Sequence, residues 1–423
     1  MDRALLVGAP TKDVPVVLAG EHLNELGRLT ETAGGCVVGV IRQRLEAPYP
    51  RYYLGEGKAH ELHDTVAHAR ADLVIFDEEL SPAQGKNLED LVGVRVLDRS
   101  ELILDIFATR ARSREARMQV ELAQLEYLLP RLKRMWSHLS RIRGGIGLRG
   151  PGETQLETDR RRIGEKIADL KRKLRDVARA RAVQRSGRAG QFRAALVGYT
   201  NAGKSSLLRA LSGDRELFVE DRLFATLDSA IRTVELGDSY VALVTDTVGF
   251  IRKLPHHLVA SFRSTLEEAR EADLLLHVID ASHPGWQEQF EIVEEVLAEL
   301  NLDEPPQVLL FNKVDRLTHE EERVLHERVR AFEARPAVFV SALEPASLAA
   351  LRATLKARMR QRLPRVHLEI SSGDGKLLAM LYREGEVLER LDQGACIDIT
   401  VRITDRMLRQ LRLRAGIRIL EVA

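Results

Sequence analysis

This sequence is poor in the features that would assign it early. It has 2 cysteines in 423 residues, Cys36 and Cys396, and neither stands at ligand-like spacing from a histidine. A disulfide framework or a cysteine-built metal site is therefore not expected, and two reduced thiols in a cytoplasmic protein are. No apolar run approaches the roughly 18 residues a membrane helix needs. The opening MDRALLVGAP has no basic region ahead of a long apolar stretch, so neither a membrane span nor a secretory leader is expected. Internal repeats and low-complexity tracts are also missing. Net charge is only +1, which argues against a generally polyanion-binding chain.

That small total conceals an asymmetry. Residues 110–190 hold 22 Lys and Arg against 9 Asp and Glu, so a basic block sits inside an otherwise acidic chain and points to a local polyanion contact. The length exceeds one ordinary core, and changes of pattern suggest four domains. Residues 1–112 alternate strands (ALLVGA, VVGVIR, YYLG, DLVIFD) with helices (HLNELGRLTETA, KAHELHDTVAHARA), as in a small α/β domain with a mostly parallel sheet. Residues 113–186 read as two amphipathic helices packed antiparallel. The first carries Val120, Leu122, Leu125, Leu129, Leu132 and Trp136, with a kink expected at Pro130. The second, about 156–184, carries Ile163, Ile167, Leu170, Leu174 and Val177. Between them RGGIGLRGPGE has five glycines and two arginines. Such a loop is either a flexible connector or a prong whose backbone can approach phosphates. Residues 187–362 alternate strands and helices again, and 363–423 form a small α+β domain of three strands and two helices.

The chemistry concentrates in the third region. GYTNAGKSS follows the apolar stretch FRAALV and leads into SSLLRALSG, a strand, glycine turn and helix in succession. It fits G-x-x-x-x-G-K-[ST] with Gly198, Gly203, Lys204 and Ser205. From Gly198 through Tyr199, Thr200, Asn201 and Ala202 to Gly203, N–H groups are expected to converge on phosphates at a helix N-terminus. Lys204 would reach the β and γ oxygens and Ser205 would ligate Mg²⁺, with Ser206 beside it in the same site.

Four further segments follow in order. FATLD (Phe224, Ala225, Thr226, Leu227, Asp228) supplies a hydroxyl for Mg²⁺ and γ-phosphate at Thr226. DTVG (Asp246, Thr247, Val248, Gly249) ends an apolar strand; Asp246 would hold Mg²⁺ through water and the Gly249 N–H would meet the γ-phosphate. NKVD (Asn312, Lys313, Val314, Asp315) puts a carboxylate where it can accept from N1–H and the 2-amino group of guanine, donors that adenine lacks, which selects GTP. SAL (Ser341, Ala342, Leu343) would close over the base. Lys204, Thr226 and Gly249 are the expected catalytic contacts.

The order GYTNAGKS, FATLD, DTVGF, NKVD and SAL resembles a translation-factor-class G domain. The block GGIGLRGPGETQLETDRR (144–161) with its following Arg162 resembles the HflX family specifically. The resemblance covers about residues 1–362, and the tail is similar to family members with a C-terminal extension. Two departures stand out. The family's switch threonine is followed by LDPT, whereas LDSAIR follows Thr226 here, and Leu148 replaces a small polar residue in the loop. The resemblance implies a GTPase, taking GTP and GDP, that binds the large ribosomal subunit; a monomer in the cytoplasm is the accompanying expectation. It implies insertion of the glycine loop (Arg143, Gly144, Gly145, Gly147, Arg149, Gly150, Gly152) near ribosomal RNA and, in some members, splitting of stalled or idle ribosomes.

Phe250 occupies the position where Ras-type GTPases carry the water-orienting glutamine, so isolated hydrolysis should be slow and partner-stimulated. Asn201 matches the P-loop asparagine of potassium-stimulated GTPases, which makes K⁺ a second candidate cation. Arg141, Arg143, Arg149, Arg160, Arg161 and Arg162 suit phosphate oxygens and name no particular RNA. Two other readings remain: a GTPase whose helical pair docks a protein, and an RNA-remodelling ATPase, which NKVD disfavours. GEGKAHEL reads as a turn at Gly55 and Gly57 before a helix; a second nucleotide site in the N-terminal region stays open. His60, His63 and His68 on that helix suit surface or packing roles.

Overall fold

The computed structural model describes the chain except residues 136–150, 187–190, 215–222, 225, 239, 254–267, 303–304, 415 and 423. Among the described residues no helix is long and apolar enough to cross a membrane.

Among the described residues three sheets organise the chain. The first has strand order β2-β1-β3-β4, all parallel: β1 (Arg3–Gly8), β2 (Cys36–Arg42), β3 (Leu73–Phe76) and β4 (Arg95–Asp98). Its central strand, RALLVG, buries every residue after Arg3, which suits a parallel strand covered on both faces. Helices α1 (Val16–Thr32), α2 (Glu56–Ala69) and α3 (Pro82–Val92) connect the strands, and α4 (Arg99–Arg110) follows β4. YYLG is not a strand of this sheet: Tyr49 bridges Tyr53 and Tyr52 bridges Leu54, with Tyr53 at φ 64°, so two aromatics make a local turn. Gly55 is the N-cap of α2 and Gly57 lies inside it.

Two long helices follow, α5 (Arg114–Met135) and α6 (Pro151–Ser186). α5 runs through Pro130 and buries Val120, Leu122, Ala123 and Tyr127, while Leu125, Leu129 and Leu132 are half-buried. α6 begins at Pro151, earlier than the apolar periodicity suggests, because proline suits a first helical position. Gly152 therefore belongs to the helix and not to the loop. Trp136 and the candidate RNA contacts Arg143, Gly144, Gly145, Gly147, Arg149 and Gly150 lie outside the described residues. Leu170 is buried and Ile163, Ile167, Leu174 and Val177 are half-buried, while Arg160, Arg161 and Arg162 are exposed. Lys166 pairs with Glu121 at 3.1 Å and Lys171 with Glu126 at 2.7 Å, so the two helices are cross-linked along their flanks.

The second sheet has order β10-β9-β8-β5-β7-β6, with β5 (Phe192–Gly198), β6 (Ala230–Gly237), β7 (Tyr240–Asp246), β8 (Leu274–Asp280), β9 (Gln307–Asn312) and β10 (Ala337–Phe339). Only β6 runs antiparallel, against β7. Despite the LDSAIR departure, a strand starts at Ala230 and pairs along β7. Helices α7 (Lys204–Ser212), α8 (Trp286–Glu299), α9 (His319–Phe332) and α10 (Leu348–Arg362) flank it. The third sheet, order β12-β13-β11-β14, is wholly antiparallel: β11 (Arg365–Ser371), β12 (Glu386–Gln393), β13 (Cys396–Arg402) and β14 (Ile417–Val422), with α11 (Gly375–Glu384) and α12 (Asp405–Arg412). Its fourth strand, β12, is absent from the sequence reading because EVLERLDQ is an exposed edge without apolar alternation.

The cores do not follow the sheets one to one. A single cluster joins Leu6, Leu26, Ile103 and Phe107 of the first sheet's layer to Ala116 and Val120 of α5, and onward to Tyr199, Phe224, Leu227 and Phe250 beside the second sheet. The third sheet has a separate core of its own.

Candidate nucleotide-binding site

The candidate residues converge at the C-terminal ends of β5, β7 and β9, the edge where open α/β sheets take ligands. Gly198 and Gly203 have φ of 149° and 97°, a region side chains avoid. A Cβ on Gly198 would lie 2.2 Å from the Val278 carbonyl, and one on Gly203 2.2 Å from Asn312 Nδ2, so both glycines are required by close approach. Lys204 is 6% exposed, and its ammonium donates to the carbonyls of Gly198 (3.0 Å) and Tyr199 (2.7 Å). Burial holds its pKa down to about 8, Asp246 opposes that shift, and Lys313 adds to it.

Ser205, Thr226 and Asp246 are brought together. Ser205 Oγ lies 2.7 Å from Thr226 Oγ1 and donates to Asp246 Oδ2 at 2.5 Å. Asp246 Oδ1 is buried without a hydrogen-bond partner among the described residues. Burial raises the Asp246 pKa against the pull of Lys204 and Ser205. Two hydroxyls and an under-satisfied buried carboxylate form an all-oxygen donor set of the kind Mg²⁺ accepts alongside phosphates and water. Gly249 lies against the loop, where a Cβ would be 2.8 Å from Thr200 Cα and 2.9 Å from Lys204 Nζ. Thr247 is fully buried and donates to the Leu196 carbonyl at 2.7 Å, and Val248 is buried.

At the other end a cleft of about 220 Å³ is lined by Asn201, Gly203, Ser206, Lys313, Asp315 and Ser341, with Ala342 and Leu343 at its rim. Asn312 staples its walls: Nδ2 donates to the Ala202 carbonyl (2.8 Å) and Oδ1 accepts from the Ala342 N–H (3.2 Å). Lys313, at φ 64°, donates to the Asn201 carbonyl and to Asp280, both at 2.7 Å. Val314 opens a 3₁₀ turn that leaves Asp315 exposed. Ser341 is buried, and its hydroxyl accepts from the Leu343 N–H at 3.1 Å.

Several candidates also serve a different contact. The side chains of Tyr199, Phe224, Leu227 and Asp228 are engaged with the N-terminal half, while Ala225 lies outside the described residues. Tyr199 donates to Glu25 (2.8 Å) and accepts from the Arg252 N–H (2.9 Å). Phe250, 2% exposed, is bridged to the phosphate loop: its carbonyl accepts from Thr200 N–H (2.7 Å) and its N–H donates to the Gly198 carbonyl (3.1 Å).

Arg252 and Lys253, just beyond, are residues sequence reasoning missed. Arg252 donates to both oxygens of Asp77, at 3.0 and 2.7 Å, and Lys253 approaches Asp77 at 3.3 Å and Glu78 at 3.6 Å. Arg99, 1% exposed, donates to Asp77 (2.9 Å), to Glu25 and to the Arg252 carbonyl (3.2 Å). Burial works against the Asp77 charge, but Arg99, Arg252 and Lys253 overcome it and hold its pKa well below the usual carboxylate range. Burial raises the Glu78 pKa. Asp77 and Glu78 follow β3, next to β1, where the strand order of the first sheet turns; this crevice, the ordinary ligand position of such a sheet, is filled by Arg252 and Lys253. His60, His63 and His68 are exposed, with His63 on the Leu91 carbonyl and His68 on that of Asp64.

Comparison with known proteins accords with this geometry. The family models described as "GTP-binding GTPase N-terminal", "GTP-binding GTPase Middle Region" and "50S ribosome-binding GTPase" match residues 20–108, 110–188 and 193–313. GTPase HflX of Escherichia coli is 43% identical over 390 residues, 90% of each chain. That of Flavobacterium psychrophilum is 48% identical over 318 residues, 75% of this chain and 76% of the relative. That of Caldanaerobacter subterraneus is 52% identical over 299 residues, 70% of each. With a phosphate loop, a guanine-type NKVD turn and relatives of this closeness over most of its length, the chain belongs to the HflX GTPase family, GTP-hydrolysing P-loop enzymes.

Proposed function

We propose that this chain is a GTP-driven switch that binds the large ribosomal subunit, dissociates stalled or idle ribosomes, and depends on that partner for rapid hydrolysis. The observation that carries the reading is Phe250. Where a Ras-type enzyme has a glutamine, this chain has a buried phenyl ring on a backbone bonded to the phosphate loop, and that ring can neither accept a proton nor orient water. Transition-state stabilisation must then come from outside, and groups of the arginine-finger kind supply about 10³ to 10⁵ in rate.

The residues act as follows in this reading. The loop from Gly198 to Gly203 orients the phosphates through its N–H groups, and Lys204 neutralises the β and γ oxygens. Ser205 and Thr226, with Asp246 through water, would hold Mg²⁺, which would neutralise charge developing on the phosphates. Gly249 offers its N–H to the γ-phosphate, and Asp315 selects guanine. Asn201, at its position in the phosphate loop, is the residue that would hold K⁺ as a further charge near the phosphates. The exposed Arg160, Arg161 and Arg162 on α6 suit ribosomal RNA phosphates, with steep salt dependence. The relatives' family model, described as ribosome-binding, supports the same partner.

GTP turnover measured alone and with large subunits tests the stimulation: a rise of at least about 10³-fold is expected, and equal rates would refute it. Light scattering of intact ribosomes mixed with the protein tests the outcome: a fall with a non-hydrolysable GTP analogue but not with GDP is expected. Turnover that is identical in KCl and NaCl would remove the potassium role.

A further inference from the structure

We propose that the contact between Asp228 and Ser113 is the joint through which the nucleotide site positions the basic helix pair, making both positioning residues. The inference rests on the reading above that Thr226 joins Ser205 and Asp246 around Mg²⁺ in the GTP-bound site.

Asp228 closes the N-terminus of α5. Its Oδ2 accepts from the N–H groups of Arg112 (3.3 Å) and Ser113 (3.1 Å), and its Oδ1 accepts the Ser113 hydroxyl. Ser113 in turn accepts from the Ala116 N–H at 3.0 Å, so it caps the helix while Asp228 braces the cap. A carboxylate here also meets the positive end of the helix dipole. The Asp228 side chain is thus committed to α5.

Two residues earlier, Thr226 stands 2.7 Å from Ser205 in the phosphate site. Two residues of extended chain span at most about 7 Å. Thr226 is therefore tethered within about 7 Å of the anchored Asp228. The flanks are fixed to the same place: the Phe224 ring meets Phe107 edge-on at 4.5 Å, and Leu223, Phe224 and Leu227 share a core with Ala111, Ala116 and Val120 around the α4–α5 corner. From that corner α5 runs as one helix of 22 residues, about 33 Å long. Its ion pairs with Lys166 and Lys171 bind α6 to it, so a tilt at the cap is delivered to the arginine-bearing face of α6.

Hydrogen exchange on the full chain without ribosomes, with GDP and with a non-hydrolysable GTP analogue, tests the joint. Amides of residues 114–123 are expected to be more protected with the analogue. In Ser113→Ala that nucleotide dependence should vanish and protection should fall about fivefold, the size of a lost N-cap. Ser113→Thr should restore both, and Ser113→Ala should bind the analogue within about twofold of the parent, since Ser113 lies outside the nucleotide cleft. Asp228→Asn, which turns one acceptor into a donor, should give the same loss by a second route. Equal protection in the two nucleotide states of the parent, or a full difference persisting in Ser113→Ala, would overturn the proposal. Absence of large-subunit binding by the parent would instead remove the ribosomal reading and leave the exchange result standing, so the two failures are distinct.

Discussion

Lys204 shows how far a phosphate site is from neutral ground before its ligand arrives. Its amine is buried and titrates at about 8, against 10.5 for an ordinary lysine. Between those values the unfolded chain binds the extra proton, so stability of the nucleotide-free protein should rise as pH climbs through that window. Phosphates favour the charged form, so nucleotide binding at pH 9 should take up about one proton. Calorimetry in two buffers of different ionisation enthalpy reads this directly, and zero uptake at pH 9 contradicts it. Asp315 carries the second prediction at this scale. Asp315→Asn replaces one of the two acceptors proposed for guanine N1–H and the 2-amino group with a donor. GTP affinity should drop about 13- to 160-fold, the range for a lost charged hydrogen bond of about 1.5 to 3 kcal/mol, while ATP affinity barely changes. Titration with fluorescent analogues of both nucleotides checks the comparison, and a parallel fall for both would show that Asp315 does not read the base.

Among the elements, the sheet-ending motifs were legible in the sequence because each pairs an apolar strand with a turn whose residues have one chemical use. Gly198, Asp246 and Asn312 end β5, β7 and β9, the strands that FRAALV, VALV and VLLF suggest. β12 was hidden because an exposed edge strand has no alternation to read, and YYLG misled because β-rich composition also suits an aromatic turn. The Asp77, Arg99 and Arg252 cluster was invisible for a different reason. Its members are 22 and 153 residues apart in sequence, and only packing reveals that they share one buried site. Asp77→Asn removes the carboxylate to which Arg252 donates and leaves Arg99 with Glu25 alone, and should cost about 3 to 5 kcal/mol. Urea denaturation at neutral pH measures it, and a loss below about 1 kcal/mol, typical of exposed pairs, would mean the cluster is effectively solvated. Because the Asp77 pKa is depressed, its contribution is complete above the ordinary carboxylate range and disappears as pH falls through the lowered value. The parent and the variant should therefore converge in stability only in strong acid.

At the scale of the whole molecule, the division of cores predicts how the chain melts. One apolar cluster spans the first sheet, α5 and the second sheet, while Val366, Leu368, Ile397, Ile399 and their neighbours form a closed core in the third. Scanning calorimetry should show one large heat-absorption peak for the first two sheets together and a smaller one for the third. GTP analogue should raise the large peak by mass action and leave the small one in place. Separate peaks for the first and second sheets would contradict the shared core.

The shared cluster also bears on excision. Cut free at about residue 190, the GTP-binding portion would present Tyr199, Phe224, Leu227 and Phe250 to water, together with Arg252 and Lys253 deprived of their acidic seats. Such a fragment would carry a sticky, cationic wound, prone to self-association and to adventitious capture of nucleic acid. Kinetic constants taken from it would describe the wound as much as the enzyme.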